Sequence, residues 1–440
     1  MNRLFIFAVC LLTATSVQSQ PFCSNLANAE ALSKKIARNA PIYSDIETGW
    51  VFTNDQLKDR YDMKPSSQTL IGEIVEEFDR RGVLLAIAVP PPRPIVAGQE
   101  ALDAAMGEVR YNLTEAEASF VKLLGGLNEA GAIVPDLLNT AIENSSETEA
   151  FYFRRDTHWT ATGAALSALA LAEATNRSHP SLFQSDDLKK PTDLIPSGSI
   201  EERGSLAAII RTVCDVEIAP ETAIAYDLSQ GSAKDLLAET AQDSSIALVG
   251  SSFSNRYKRD HYRFGEALSW AFDRDVANYS ISGGGAIGAI EAYVLSGALD
   301  RREHDLVVWE IPYTQSFNST SFLRQLLGAI RHAGQVKGME TMQYPASNKS
   351  VIEVGGIKEP VGIQIVSTDP KHQEFRVIVH FDNASKTKIS LRRRNAVPID
   401  MRADSMFASL EHFGDRKVHK IVVEGKKDSS FDAVTLFAEQ

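Results

Sequence analysis

Three short runs in this chain have no polar face: Leu84-Leu-Ala-Ile-Ala-Val89, Ile246-Ala-Leu-Val249 and Leu306-Val-Val-Trp309. Successive side chains of a strand point to opposite sides, so a strand that is apolar throughout must be covered on both. Between these runs, Ala161 to Ala174 and Gly265 to Phe272 are rich in alanine and leucine at helical spacing. Strands alternating with helices predict an α/β layered domain around a largely parallel sheet over residues 21–340.

Beyond the polar stretch Gly334 to Ser350 the pattern changes. Gly362-Ile-Gln-Ile-Val366, Phe375-Arg-Val-Ile-Val-His-Phe381, Lys420-Ile-Val-Val-Glu424 and Val434-Thr-Leu-Phe437 are short and β-branched, with turn residues between them. They predict a small all-β module over residues 341–440, of sandwich type.

The N-terminus carries Arg3, an apolar run from Leu4 to Leu12, and small residues Val17 and Ser19 before Gln20. This is the layout of a secretory signal peptide over residues 1–20, too short and too soon polar for a membrane span. Export places the mature chain in an oxidising compartment. Cys10 leaves with the leader, so Cys23 and Cys214 remain as an even pair expected to form a disulfide. Two cysteines without histidines at ligand spacing do not make a zinc site, and no metal or nucleotide cofactor is implied. Losing Arg3 leaves 57 acids against 44 bases, a formal charge of −13. So acidic a chain argues against nucleic acid as a partner.

The chemistry concentrates in two segments. Ile246-Ala-Leu-Val-Gly-Ser-Ser-Phe-Ser254 runs from a buried strand into small polar residues, and reactive groups in α/β sheets sit at the carboxyl ends of strands. Ser251, Ser252 and Ser254 are all candidate nucleophiles, near backbone N–H groups able to hold an oxyanion. A serine hydroxyl needs a base. Arg154-Arg-Asp-Thr-His-Trp159 supplies one: Asp156 and His158 fall on the same side of an extended segment, and Thr160 is placed to cap the helix that follows. A third segment, Asn278-Tyr-Ser-Ile-Ser-Gly-Gly-Gly285, is dense enough in glycine for its backbone to approach a ligand closely, but lacks the spacing of a dinucleotide fingerprint. Arg256, Lys258, Arg259 and Arg263 follow the serines and form a basic patch that would attract a polyanion, or a solvated helix face.

Strand-Gly-x-Ser followed by Asn-x-Ser-Ile-Ser-Gly resembles the SGNH hydrolase superfamily. With Asp-Thr-His-Trp, Leu-Val-Gly-Ser-Ser-Phe-Ser, Val-Val-Trp-Glu-Ile-Pro and Val89-Pro-Pro-Pro-Arg93 in order, residues 40 to 320 look more narrowly like the periplasmic alginate O-acetyltransferase family of AlgX and AlgJ. The resemblance implies Ser252 as nucleophile, His158 as base, Asp156 as its partner, and Gly283 with the Ser252 N–H as oxyanion donors. In ordinary SGNH hydrolases Asp and His follow the serine; here they precede it. The asparagine of the third motif is replaced by Glu-Ile-Pro-Tyr, which leaves Tyr313 as a candidate contact or as a packed surface tyrosine. The C-terminal module resembles the carbohydrate-binding domain that distinguishes AlgX from AlgJ. Its run Leu391-Arg-Arg-Arg-Asn395 would bind carboxylates or guard an exposed edge strand.

The reading is therefore an exported O-acetyltransferase whose acceptor is an anionic polysaccharide. The resemblance adds a membrane partner that delivers the acetyl donor, and a place in a polysaccharide secretion complex. Its rivals are an esterase with the same triad and a non-catalytic polysaccharide-binding scaffold.

Overall fold

The computed structural model describes residues 20–146, 149–180, 188–229, 246–255, 263–334, 339–345, 348–355, 359–426 and 428–439. An N-terminal stretch carries α1 (Lys34–Ala37) and the hairpin β1 (Ile42–Ser44) and β2 (Val51–Thr53). Next come α2 (Pro65–Asp79), β3 (Leu84–Ala88), α3 (Arg93–Met106), α4 (Leu113–Glu129), α5 (Leu137–Asn144) and α6 (Ala161–Ser178). The hairpin β4 (Ile195–Glu202) and β5 (Glu221–Asp227) encloses α7 (Ser205–Cys214). Then follow β6 (Ile246–Val249), α8 (Phe264–Phe272), β7 (Val276–Asn278), α9 (Gly288–Leu295), β8 (Leu306–Glu310) and α10 (Thr320–His332).

β3, β8, β6 and β7 lie side by side in that order, all parallel. The three apolar runs form β3, β8 and β6, and alternation divides their residues between two cores. Leu85, Ile87, Val249, Val307 and Trp309 face one core, with α2, α4, α9 and α10. Ala86, Ile246, Leu248, Leu306 and Val308 face the other, with α5, α6 and α8. Burial on both faces is what removes polar residues from these strands. The α/β expectation holds.

The C-terminal strands are β9 (Met339–Pro345), β10 (Lys349–Glu353), β11 (Pro360–Ser367), β12 (Glu374–Phe381), β13 (Lys386–Arg392), β14 (Ser405–Ser409), β15 (Val418–Gly425) and β16 (Phe431–Glu439). They form two four-stranded antiparallel sheets, β10-β15-β12-β13 and β14-β11-β16-β9, which share a third core containing Val377, Val379, Ile363, Ile365 and Leu436. Four of these strands coincide with the apolar runs. The other four are half-polar, and β9 lies inside the stretch read above as a polar connection, where it pairs with β16.

The two parts are packed together. Gly328 of α10 faces the Ala408 backbone so closely that a Cβ there would come within 2.5 Å of it. Arg393 pairs with Glu291 of α9 at 3.1 Å, with both side chains 2% exposed. Arg331 binds Glu73 and Glu77 of α2 and also Glu411 beyond β14. The expected disulfide joins Cys23 to Cys214 at the end of α7, with a Cα–Cα distance of 5.6 Å.

Candidate active site

His158 sits in a closed loop rather than in the extended segment anticipated above. An isolated bridge pairs Tyr152 with Trp159, and the Thr160 N–H donates to the Phe151 carbonyl at 2.9 Å. Thr160 caps α6 as expected, its Oγ1 accepting from the Gly163 N–H at 3.1 Å. The loop is held along its length. The buried Arg93 guanidinium donates to the carbonyls of Phe153 and Arg154 at 3.0 and 2.9 Å. The Glu221 carboxylate accepts from the N–H groups of Arg154 and Arg155 at 2.8 and 2.7 Å. The Arg155 guanidinium also lies 3.6 Å from Glu221.

The bend changes what Asp156 does. Its Oδ1 accepts from both the His158 N–H at 2.9 Å and the His158 ring at Nδ1, 2.5 Å away. Its Oδ2 accepts from the Ser205 N–H at 2.5 Å, at the first turn of α7. The carboxylate is fully buried, and a helix N-terminus is a favourable place for a negative charge. Gly204 makes this approach possible: its φ is +72°, and a Cβ would come 2.3 Å from the Arg155 carbonyl oxygen. With Asp156 ionised, Nδ1 carries the ring proton and Nε2 is left as an acceptor.

Nε2 lies 2.8 Å from Ser252 Oγ. The structure thus joins Asp156, His158 and Ser252, and not Ser251 or Ser254, in one hydrogen-bonded relay. The Trp159 indole N–H donates to the Phe253 carbonyl at 3.1 Å, and the Phe253 ring is centred 4.9 Å from that of His158. These contacts tie the histidine loop to the serine turn.

Ser251 and Ser254 point elsewhere, toward Glu310 at the end of β8. The Ser251 N–H reaches Glu310 Oε2 at 2.6 Å, and the Ser251 and Ser254 hydroxyls donate to the same oxygen at 2.9 and 3.1 Å. The N–H groups of Ser254 and Asn255 both bond the Ser251 carbonyl, at 3.2 and 3.1 Å. That of Phe253 bonds Ser251 Oγ at 3.3 Å. From Ser251 to Asn255, the Ser252 N–H alone has no acceptor among the described residues.

The glycine segment is stitched to this turn. The Ile281 N–H donates to the Gly250 carbonyl at 3.0 Å, Asn278 Nδ2 to the Ser254 carbonyl at 2.9 Å, and Asn255 Nδ2 to the Ser280 carbonyl at 3.0 Å. Gly283 adopts φ +80°, which explains glycine there. The C-terminal module closes over it: a Cβ on Gly283 would lie 3.1 Å from Ala396, and one on Gly285 only 2.5 Å from Arg394. Between them a cavity of about 260 Å³ is lined by Gly284, Ala286, Gln315, Gln325, Arg392 and Arg394.

Tyr313 is not a surface tyrosine. It is 2% exposed in the core beside Arg93, closed off from any polymer. Arg256, Lys258 and Arg259 lie outside the described residues, while Arg263 stands 3.7 Å from Glu266. Glu310, Ser205, Arg93 and Asn255 were not anticipated. Only Glu310 carried a signal, being an acid that ends an otherwise apolar strand; buried acids are rare without partners.

A family model described as SGNH hydrolase-like domain, acetyltransferase AlgX, matches residues 47–313. The alginate biosynthesis protein AlgX of Pseudomonas syringae pv. tomato is 24% identical over 390 residues, 86% of this chain and 77% of that protein. The probable alginate O-acetylase AlgJ of Pseudomonas putida is 28% identical over 285 residues, 60% of this chain and 67% of that one. Among solved structures, Pseudomonas aeruginosa AlgX superimposes with a TM-score of 0.70 at 18% identity, over 95% of this chain and 99% of that one. At that identity the likeness speaks to fold alone, and it extends through the C-terminal sheets.

Proposed function

The chain belongs to the family of SGNH hydrolase-like, acetyltransferase AlgX domains, and on that premise we propose that it moves acetyl groups from an ester donor to hydroxyls of an anionic exopolysaccharide through Ser252, His158 and Asp156. The observation that carries the reading is the relay itself, 2.5 Å from Asp156 to His158 and 2.8 Å from His158 to Ser252. Ser252 Oγ attacks the acetyl carbonyl while its proton passes to His158 Nε2. The oxyanion is met by the N–H groups of Ser252 and Gly283. The donor's leaving group departs with the proton from Nε2, leaving acetylated Ser252. A sugar hydroxyl then attacks, gives its proton to Nε2, and Ser252 leaves with it. Asp156 stays ionised throughout and stabilises the imidazolium.

The acceptor reading rests on charge and kinship. Arg394 lies beside the glycine segment in the field of Arg392 and Arg38, a positive cluster on a chain of net charge −12. Such a cluster recruits polyanions, and the relatives' names point to alginate or a similar polyuronate. The C-terminal module would hold the polymer, residues 1–20 would export the chain to the periplasm, and a membrane partner in a secretion complex would deliver the acetyl donor. Among the described residues no helix is long and apolar enough to cross a membrane.

The test is to incubate the protein with an acetyl ester and mannuronate oligosaccharides and weigh the products. Acetylated oligosaccharide that disappears with Ser252→Ala supports the transferase. Free acetate with unmodified sugar supports an esterase instead, and no turnover at all supports a binding scaffold.

A further inference from the structure

The residue that the mechanism leaves unused is Glu310. It is fully buried, and among the described residues no cation lies within ion-pair distance of it. Burial pushes its carboxyl up to about 7, while the bonds from Ser251 and Ser254 pull it down. An unpaired acid in such a place is costly to keep, yet every polar contact it makes is to the turn that carries Ser252.

We propose that Glu310 is the positioning residue of the nucleophile: by holding Ser251 through both its N–H and its hydroxyl, it sets the turn that aims Ser252 at His158 and leaves the Ser252 N–H open to an oxyanion. This rests on the reading of Ser252 as nucleophile. Three observations converge. Val249 and Trp309 are partners in the sheet, so the next residues, Gly250 and Glu310, emerge side by side where β6 and β8 end. Gly250 has no room for a side chain, since a Cβ would come 2.4 Å from Ser254 Oγ and 2.7 Å from Glu310 Oε2. Ser251 is the pivot of the turn, its carbonyl and hydroxyl receiving the N–H groups of Phe253, Ser254 and Asn255. With the N–H groups of Ser251, Phe253, Ser254 and Asn255 all engaged, the N–H of Ser252 is the donor the turn leaves over. Glu310 therefore acts through Ser251, without touching substrate.

The role depends on the reach of an acceptor oxygen, which two substitutions separate from charge. Glu310→Gln keeps an oxygen at the same distance for the Ser251 N–H. Glu310→Asp keeps the charge but withdraws it by about one C–C bond, roughly 1.5 Å. The experiment measures kcat and KM for 4-nitrophenyl acetate, and the rate at which phenylmethylsulfonyl fluoride labels Ser252 by intact mass. Glu310→Gln is expected to stay within a few-fold of wild type. Glu310→Asp should lose about 10- to 100-fold in kcat and in labelling rate, the cost of an ångström-scale misplacement, with KM nearly unchanged. Glu310→Asp as fast as wild type, or Glu310→Gln folded and inactive, overturns the proposal. If the wild-type Ser252 itself takes no label, it is the reading of Ser252 as nucleophile that fails.

Discussion

Asp156 accepts three hydrogen bonds within one buried carboxylate, from His158 twice and from Ser205 once. Asp156→Asn keeps the shape but presents an amide to His158 Nδ1, so the ring is pushed toward the tautomer that cannot take the Ser252 proton. We expect kcat for an acetyl ester to fall by about 10⁴-fold with little change in fold, the scale seen when this partner is neutralised in triads generally. A rate within a few-fold of wild type would reduce Asp156 to a loop-capping residue. Glu310 makes a different prediction, about stability. Its folded carboxyl stands at about 7 against an ordinary 4.5. A raised value means that its contribution is fully present below about pH 4.5 and is lost as pH rises through about 7. Tyr152, the other titratable group in its field, is pushed well above its ordinary range by burial and stays neutral there. Denaturant unfolding should therefore show wild type losing stability relative to Glu310→Gln between pH 4.5 and 7.5, by about 3 kcal/mol. A difference that is flat with pH would place no titrating group at Glu310.

At the scale of elements, α7 reaches Asp156 through its first N–H, while the N–H groups of Leu206 and Ala207 hold the Arg155 carbonyl at 3.1 Å. Proline is tolerated at the first position of a helix because that N–H has no partner within the helix. Ser205→Pro should leave α7 in place and remove one donor to the Asp156 carboxylate, lowering kcat by about tenfold, as befits a hydrogen bond to a charged group. Circular dichroism separates this from a lost helix, and an unchanged kcat would make the contact incidental. α7 also shows where legibility ended. The inner strands and α6 could be read because covered faces leave a periodic apolar trace, as in Ile246–Val249 and Ala161–Ala174. β9 and β13 left little, because both are edge strands: β9 has only exposed and half-buried positions, and β13 buries only Ile389 and Leu391. Ser252, His158 and Asp156 could be named from motif order, whereas their hydrogen bonds could not. Ser205 reaches Asp156 from 49 residues away, and Arg93 reaches Arg154 from 61. Such contacts are made by folding and have no local spacing to betray them.

Across the whole molecule, the same helix is tied to the N-terminal segment by the Cys23–Cys214 disulfide, spanning 191 residues. In the chain-entropy account a loop of that length is worth about 5 kcal/mol, so reduction should lower the unfolding midpoint by many degrees. Because α7 also presents the Ser205 N–H to Asp156, turnover should fall before global unfolding. Equal midpoints for oxidised and reduced protein would contradict this. The C-terminal module, clamped by Arg393–Glu291 and Arg331–Glu411, rests against the glycine segment, which is stitched to the turn of Ser252.

The central claim is that Ser252 carries the acetyl group. It is tested most directly by mixing the protein with 4-nitrophenyl acetate, quenching in acid and mapping the modified peptide by mass. The account predicts a transient acetyl adduct on Ser252, absent from Ser252→Ala. Acetylation on Ser251 or Ser254, or turnover without any adduct in Ser252→Ala, would contradict it.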